Sequence, residues 1–181
     1  WGQAQVAKTD VHVPMRDGVR LSANIFLPEE KGRFPAILIR TPYGKGSLLA
    51  ATYKIFLDNG YAVVVEDVRG RGSSEGTYRS IEQESSDGED TLEWIAAQPW
   101  SDGRTGMVGG SYLGITQWRA AITGNPHLVA ISPAVSGCDE YEDRYYSRGG
   151  AFRLGHRLMW LADNLRAPGF KGPPFAEYVK H

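Results

Sequence analysis

The stretch Thr105-Gly106-Met107-Val108-Gly109-Gly110-Ser111-Tyr112-Leu113-Gly114, continued by Ile115-Thr116-Gln117-Trp118-Arg119-Ala120-Ala121, decides how the rest of the chain is read. A short apolar run leads into glycines, one serine stands at the bend, and a helix-compatible segment follows. That layout predicts a strand, a sharp turn and a helix, with the serine at the apex in a strained conformation that pushes its hydroxyl out of the sheet edge. Gly109 and Gly114 flank it where a Cβ would meet the crossing strand and helix. The Tyr112 amide opens the helix, where an N–H at the positive dipole end can hold a developing oxyanion. The general Gly-x-Ser-x-Gly pattern places its second glycine two residues after the serine; here Leu113 occupies that position and Gly114 follows. Taken alone, the motif fits a plain turn as well as a nucleophile.

Composition sets outer limits. With 181 residues and 41% hydrophobic content, the chain can bury roughly 70% of its unfolded surface. A formal charge of −1 gives no electrostatic footprint for nucleic acid or an anionic membrane. No run approaches the ~20 apolar residues that span a bilayer. Cys138 is single, so there is neither an internal disulfide framework nor a CxxC metal pattern, and no motif calls for a metal or cofactor. The chain begins at Trp1 rather than methionine, which points to a removed leader or tag. An exported or periplasmic location and a cytoplasmic one both stay open.

In chain order, Val11 to Met15 and Val19 to Leu27 read as strands joined by a turn at Arg16-Asp17-Gly18. Pro35 to Ile39 is a continuous apolar run, as in a strand covered on both faces. It leads into the loop Arg40-Thr41-Pro42-Tyr43-Gly44-Lys45-Gly46. Ser47 is expected to cap a helix running to Asp58, stopped by Asn59-Gly60. Tyr61 to Glu66 is the most strand-like segment and feeds the glycine-rich loop Asp67 to Gly76. Ser85 or Ser86 is expected to cap a helix to Ala97, with Asp87, Glu89 and Asp90 in its first turn. A helix from Tyr112 to Thr123 and a strand from Leu128 to Ile131 follow. Strands alternating with helices at this spacing predict a mostly parallel sheet, whose loops beyond the strands' carboxyl ends share one rim. Those loops would bring Tyr43, Asp67–Gly76 and Ser111 together.

Beyond Pro133 the character changes. Gly137 to Tyr146 is charged and aromatic, and Ala151, Leu154, Leu158, Leu161 and Leu165 recur as the apolar face of an amphipathic helix ended by Pro168. This suits an inserted helical layer. The expected division is 1–133 for the sheet domain and 134–181 for the beginning of a helical cap.

Three motifs stand in order: Arg40-Thr41-Pro42-Tyr43, Glu66-Asp67-Val68-Arg69-Gly70-Arg71-Gly72-Ser73-Ser74-Glu75-Gly76, and Gly109-Gly110-Ser111-Tyr112-Leu113-Gly114. Together they resemble the N-terminal part of the cocaine esterase / X-Pro dipeptidyl-peptidase (S15-type, CocE/NonD) group of α/β-hydrolases, over residues 11–166. In that group a Gly-x-Ser-Tyr-x-Gly variant accounts for the displaced glycine. The resemblance implies an α/β-hydrolase fold and Ser111 as the nucleophile on an ester or amide carbonyl. It implies the Tyr112 backbone amide as one oxyanion donor and the Tyr43 phenol as the other. Pro42 stiffens the segment carrying Tyr43.

The departures carry as much information. Members of the group are several hundred residues long, with a cap after the sixth strand and a C-terminal β-sandwich, and their triad Asp and His lie past the cap. The resemblance therefore implies that this chain is a fragment stopping inside the cap, its partner being the rest of the parent chain. His127, His156 and His181 are not placed as a general base, so the piece alone is expected to be inactive. In the α-amino-acid ester hydrolase branch an aspartate precedes a segment like Gly150-Ala151-Phe152-Arg153; counting back puts Tyr145 there, with Asp143 two residues off.

Simpler roles stand beside these. Ser111 could be a turn serine and Tyr43 a packing aromatic. The Arg-Gly loop resembles a nucleic-acid-binding RGG tract only superficially and reads better as a structured rim loop, with Asp67 or Arg69 in local hydrogen bonds. Asp87, Glu89 and Asp90 suit helix N-terminal charges, and Asp139, Glu140, Glu142 and Asp143 a solvated connector. Cys138 is expected to be inert, and Trp94, Trp100, Trp118 and Trp160 to be packing residues. Three functions stay open: a serine esterase or acylase acting on a small-molecule ester or amide, an X-Pro dipeptidyl-peptidase portion, and a non-catalytic homologue. A sheet edge left open invites association into a homo-oligomer.

Overall fold

The computed structural model describes residues 6–139, 141–147, 149–164 and 177. The chain divides into two compact units, Trp1–Val135 and Ser136–His181.

The first unit is built on a sheet of six strands: β1 (Val6–Pro14), β2 (Arg20–Leu27), β3 (Phe34–Thr41), β4 (Ala62–Asp67), β5 (Ser101–Gly110) and β6 (Leu128–Ala134), in the order β1-β2-β4-β3-β5-β6. β1 and β2 form an antiparallel hairpin, and β2 runs antiparallel to β4. β4, β3, β5 and β6 are mutually parallel, so the mostly parallel sheet carries an antiparallel edge. The hairpin turn closes through Gly18 N–H to the Met15 carbonyl at 2.9 Å and Met15 N–H to Val19 at 2.8 Å. Gly18 takes φ +84 there, which suits a residue without a Cβ.

Side chains alternate along β3 and β4, and the alternation divides the core. Ala36 and Leu38 with Ala62 and Val64 face one layer, packing with Leu92 and Ile95 of α2 (Glu84–Ala96) and Ala120 of α3 (Tyr112–Ala121). Ile37 and Ile39 with Val63 and Val65 face the other, against Leu57 of α1 (Ala51–Asp58). A strand apolar on both faces has to be covered on both. This pattern, continued past the apolar residues, sends Arg40 and Glu66 into the α2 side and Thr41 and Asp67 toward the opposite one.

Two helix starts differ from the sequence expectation. α1 opens at Ala51 without a side-chain cap, so Ser47 lies outside the helix. The preceding loop is drawn toward the sheet instead: the Lys45 N–H donates to Asp67 and the Gly46 carbonyl accepts from Asn24 Nδ2. α2 opens at Glu84, ahead of both serines, also without a side-chain cap. Ser86 Oγ donates back to the Gln83 carbonyl, while Glu84 is pinned by Arg40 through its carbonyl and its carboxylate. Tertiary bonding places both starts.

In the second unit a π-helical turn (Tyr141–Tyr145) precedes α4 (Leu154–Asn164). Tyr146 stacks on Tyr141 with centroids 4.3 Å apart and bridges to Phe152. The Arg157 guanidinium lies 4.2 Å from the Tyr145 ring and 5.1 Å from that of Trp160. The amphipathic helix forms as expected; its leucines Leu154, Leu158 and Leu161 are exposed, whereas Arg157 and Trp160 are buried. Cation–π packing of Arg157 against Tyr145 and Trp160 accounts for the buried side of this helix. Leu165 and Pro168 lie outside the described residues.

Candidate active site

Ser111 joins β5 to α3 with φ 58 and ψ −123. That combination is a region essentially reserved for glycine, and holding another residue there costs about 1–3 kcal/mol. The surroundings over-determine it. The Ser111 N–H donates to the Ala134 carbonyl on β6 at 2.8 Å, and its carbonyl accepts from the amides of Gly114 and Ile115 at 2.9 and 3.2 Å. Gly109 takes φ +137, and a Cβ there would come 2.6 Å from Leu113 Cβ. A bend this tight brings the strand onto the first turn of its own helix. Gln117, buried within α3, donates from Nε2 to the Gly109 carbonyl at 3.0 Å and accepts at Oε1 from the Ser132 amide at 2.8 Å. One amide therefore ties α3 to β5 and β6. Ser111 itself stays half-exposed.

Beneath the turn lies a buried ionic network. The Tyr112 phenol, fully buried, donates to Glu84 Oε1 at 2.7 Å and accepts from the Ile81 amide at 3.0 Å. Arg40, also fully buried, donates from Nε to Glu66 Oε1 at 2.7 Å and from Nη1 to Glu84 Oε2 at 2.8 Å. Arg69 forks onto both oxygens of Asp87, at 3.0 and 2.6 Å, and reaches Asp17 of the hairpin turn at 2.7 Å. Asp87 is thus a buried structural anion and Arg69 bridges distant segments, while the local bonding expected of Asp67 or Arg69 is made by Asp67, which accepts from the Ser73 amide; Glu89 and Asp90 pair with Arg16 at the surface.

These positions shift the ionisation of each group. Burial raises the Glu84 and Glu66 carboxyls against the opposing charge of Arg40, Glu66 to about 7. Burial, then the Glu84 charge, raises the Tyr112 phenol. For Arg40 burial works against the charged form, but Glu84, Glu66 and Asp87 outweigh it and keep the guanidinium firmly protonated. The phenol of Tyr112 is consequently an anchor, and only its backbone faces the serine turn.

Tyr43 follows β3, next to β5 in the sheet, so its loop and Ser111 leave the carboxyl ends of neighbouring strands. Tyr43 is 42% exposed. It lines a pocket of about 230 Å³ together with Thr41, Lys45, Tyr53, Val65 and Leu113. Leu113 sits two residues past Ser111, so the Tyr43 loop and the start of α3 share one cavity wall. The loop after β4 joins the same rim: Asp67 accepts from the Lys45 amide at 2.6 Å, and Arg71 Nε donates to the Pro42 carbonyl at 2.9 Å.

The histidines of this unit are elsewhere. His12 is in β1. His127 bonds the Gly103 carbonyl through Nδ1 at 2.8 Å, at the amino end of β5 and away from the serine. His156 lies in α4 of the second unit, and His181 is outside the described residues.

Sequence reasoning missed Gln117 and the pairing of Arg40 with Glu66. The first carries no local signal. The second could have been suspected from two charged residues ending continuous apolar strands.

The chain is similar to several known proteins. A family model described as X-Pro dipeptidyl-peptidase (S15 family) matches residues 17–177. The chain is 43% identical over 159 residues to the cocaine esterase of Rhodococcus sp. (strain MB1 Bresler), covering 85% of this chain and 28% of the esterase. Among solved structures, a CocE/NonD family hydrolase from Staphylococcus aureus is 33% identical with a TM-score of 0.66, covering 71% of this chain and 27% of that one. An α-amino acid ester hydrolase is 31% identical with a TM-score of 0.72, covering 89% and 30%. The chain spans between a quarter and a third of the length of these relatives. A serine raised on a strand–helix turn, a six-stranded sheet of this order and the match over residues 17–177 lead to one placement: the chain has the α/β-hydrolase fold and belongs to the X-Pro dipeptidyl-peptidase (S15) family.

Proposed function

We propose that this chain carries the nucleophile and oxyanion hole of a serine hydrolase that cleaves an ester or amide through an acyl-serine intermediate. The observation that carries the proposal is the backbone of Ser111, held at φ 58 and ψ −123 at a half-exposed point of the rim shared with Tyr43. In the first half-reaction Ser111 Oγ adds to the substrate carbonyl carbon. The oxygen of that carbonyl takes up negative charge and is stabilised by the Tyr112 amide at the α3 N-terminus and the Tyr43 phenol. The leaving alcohol or amine departs with a proton; water then attacks the acyl-serine and returns the hydroxyl to Ser111.

A serine at neutral pH needs a base. His12 lies exposed on the edge strand β1 and His127 at the amino end of β5, so we assign the general base and its acidic partner to sequence beyond these 181 residues. The chain's coverage of only 28% of the cocaine esterase supports that assignment. Residues 1–133 would then be the first part of the hydrolase domain and 134–181 the beginning of its cap.

A small-molecule ester or acyl amide is the favoured substrate, because the chain is 43% identical to an esterase over 159 residues. The second candidate, an Xaa-Pro peptide, is favoured by the description of the matching family model. In the α-amino-acid ester hydrolase comparison, Tyr145 stands under the Arg157 guanidinium, which gives no carboxylate for a substrate ammonium at that position.

The test uses the full-length protein. A fluorophosphonate probe is expected to label it rapidly and to fail on Ser111→Ala; labelling that survives this change would remove Ser111 from its role. Short-chain esters assayed against Xaa-Pro amides then divide the two substrate classes.

A further inference from the structure

Resting on the assignment of Tyr43 as an oxyanion donor, we propose that residues 67–76, the loop after β4, form a strut that fixes Tyr43, with Asp67 and Arg71 as its positioning residues. The strut grips the Tyr43 loop on both sides of the tyrosine. Ahead of it, the Val68 amide donates to the Thr41 carbonyl at 3.0 Å and Arg71 Nε donates to the Pro42 carbonyl at 2.9 Å. Behind it, Asp67 Oδ1 accepts from the Lys45 amide at 2.6 Å, and Lys45 Nζ lies 3.5 Å from Asp67 Oδ2. The Tyr43 amide itself is turned inward onto Thr41 Oγ1 at 3.1 Å.

The strut is rigid at its other end. Asp67, 2% exposed, also accepts from the Ser73 amide at 3.1 Å, and its backbone carbonyl accepts from Ser74 Oγ at 2.6 Å. Ser74 Oγ in turn accepts from the Ser22 amide of β2 at 2.8 Å, and the Glu75 amide donates to the Arg20 carbonyl at 3.0 Å. Gly72 presses on the carboxylate so closely that a Cβ would stand 2.0 Å from Asp67 Oδ2. The chain from β2 through the strut to Tyr43 is therefore bonded at every step. A phenol on an exposed loop needs such a brace, because an oxyanion donor works only when held within a fraction of an ångström.

A loop that merely closes the sheet edge would affect the reaction regardless of what residue 43 is; a strut acts through the phenol. A double-mutant cycle separates them. In the full-length protein, kcat and KM for 4-nitrophenyl acetate are measured for wild type, Tyr43→Phe, Asp67→Asn, Arg71→Met and the two doubles with Tyr43→Phe. Tyr43→Phe is expected to lower kcat on the order of 100-fold. Asp67→Asn and Arg71→Met are each expected to lower kcat by about 10-fold or more with KM within about two-fold, and by less than about two-fold when Tyr43 is already Phe. Arg71 is half-buried and gives the Pro42 carbonyl one bond, so Arg71→Met keeps the fold and decides the matter if Asp67→Asn melts early. Equal losses in both backgrounds, or an Arg71→Met protein with unchanged kcat, overturn the strut. A Tyr43→Phe protein with wild-type kcat overturns the oxyanion assignment instead, and the strut with it.

Discussion

The Tyr112 phenol donates to Glu84 Oε1 at 2.7 Å, which joins the residue after the serine turn to the first residue of α2. Through Glu84 the bond continues to Arg40 and from there to Glu66, so the backbone of the turn is moored to a charged cluster on the α2 side of the sheet. Tyr112→Phe removes one hydroxyl and strands both Glu84 Oε1 and the Ile81 amide. The expected cost is about 1–3 kcal/mol, seen as a lower thermal midpoint, together with slower fluorophosphonate labelling of Ser111 in the full-length protein.

Arg40 is the hub, and its removal should be more damaging. Arg40→Met leaves Glu66 and Glu84 buried without their cation, a loss of about 3–5 kcal/mol. The expected outcome is a protein that no longer unfolds cooperatively in a circular-dichroism denaturant titration. A cooperative transition within 1 kcal/mol or so of wild type would show that the carboxyls neutralise themselves by taking up protons.

Glu66 makes stability depend on pH. Burial, opposed by Arg40, raises its carboxyl from 4.5 to about 7. Geometry agrees: the Thr91 hydroxyl has one proton, yet its oxygen lies within 3.2 Å of both Glu66 oxygens and 2.8 Å from the Asp87 carbonyl. A protonated Glu66 supplies the missing donor. Because the folded pKa is the higher one, the folded state holds the extra proton between 4.5 and about 7. This contribution is complete below the lower value and is lost as pH rises through the upper one. Melting curves of wild type and Glu66→Gln should therefore separate as pH climbs from about 5 to about 8, with wild type losing ground. Parallel profiles would mean that Glu66 is ionised throughout.

The strain at Ser111 gives a prediction of opposite sign. Ser111→Gly relaxes a backbone region costing a larger residue about 1–3 kcal/mol, offset in part by the entropy glycine gains when unfolded. A net gain of about 1 kcal/mol is expected, a rise of about 2–4 °C by calorimetry for a domain of this size, with labelling abolished. Ser111→Ala should abolish labelling without that rise.

Gly109→Ala tests the same turn from the strand side. Its Cβ would meet Leu113 Cβ at 2.6 Å with φ at +137, so the first turn of α3 must move. Labelling of Ser111 should slow at least about 10-fold while circular dichroism still reports a folded chain.

The parts legible in the sequence are those written locally. The glycines around Ser111, the apolar runs of β3 and β4, and the Asp17-Gly18 turn each carry their instruction within a few residues, and the alternation of strand and helix puts Tyr43 and Ser111 on one rim. What stayed hidden depends on register. Arg40 and Glu66 face each other because β3 and β4 pair residue for residue from Ala36–Ala62 to Thr41–Asp67, a relation between segments 26 residues apart that neither segment states. The late start of α1 and the early start of α2 have the same origin, since bonds to Asp67 and Arg40 overrule the serines. In α4 the leucine spacing was visible, but arginine–aromatic packing, which has no helical period, decided which side was buried.

The alternation in β3 and β4 has an evolutionary consequence. Thr41 and Val65 border the cavity beside Tyr43, whereas their immediate neighbours Arg40 and Glu66 belong to the ion cluster on the reverse side. Residues one step apart thus answer to separate demands. Mutation can reshape the cavity wall while the ion cluster behind it is left alone; under the role proposed for Ser111, a lineage with this architecture can change its substrates by single steps that do not first unfold it.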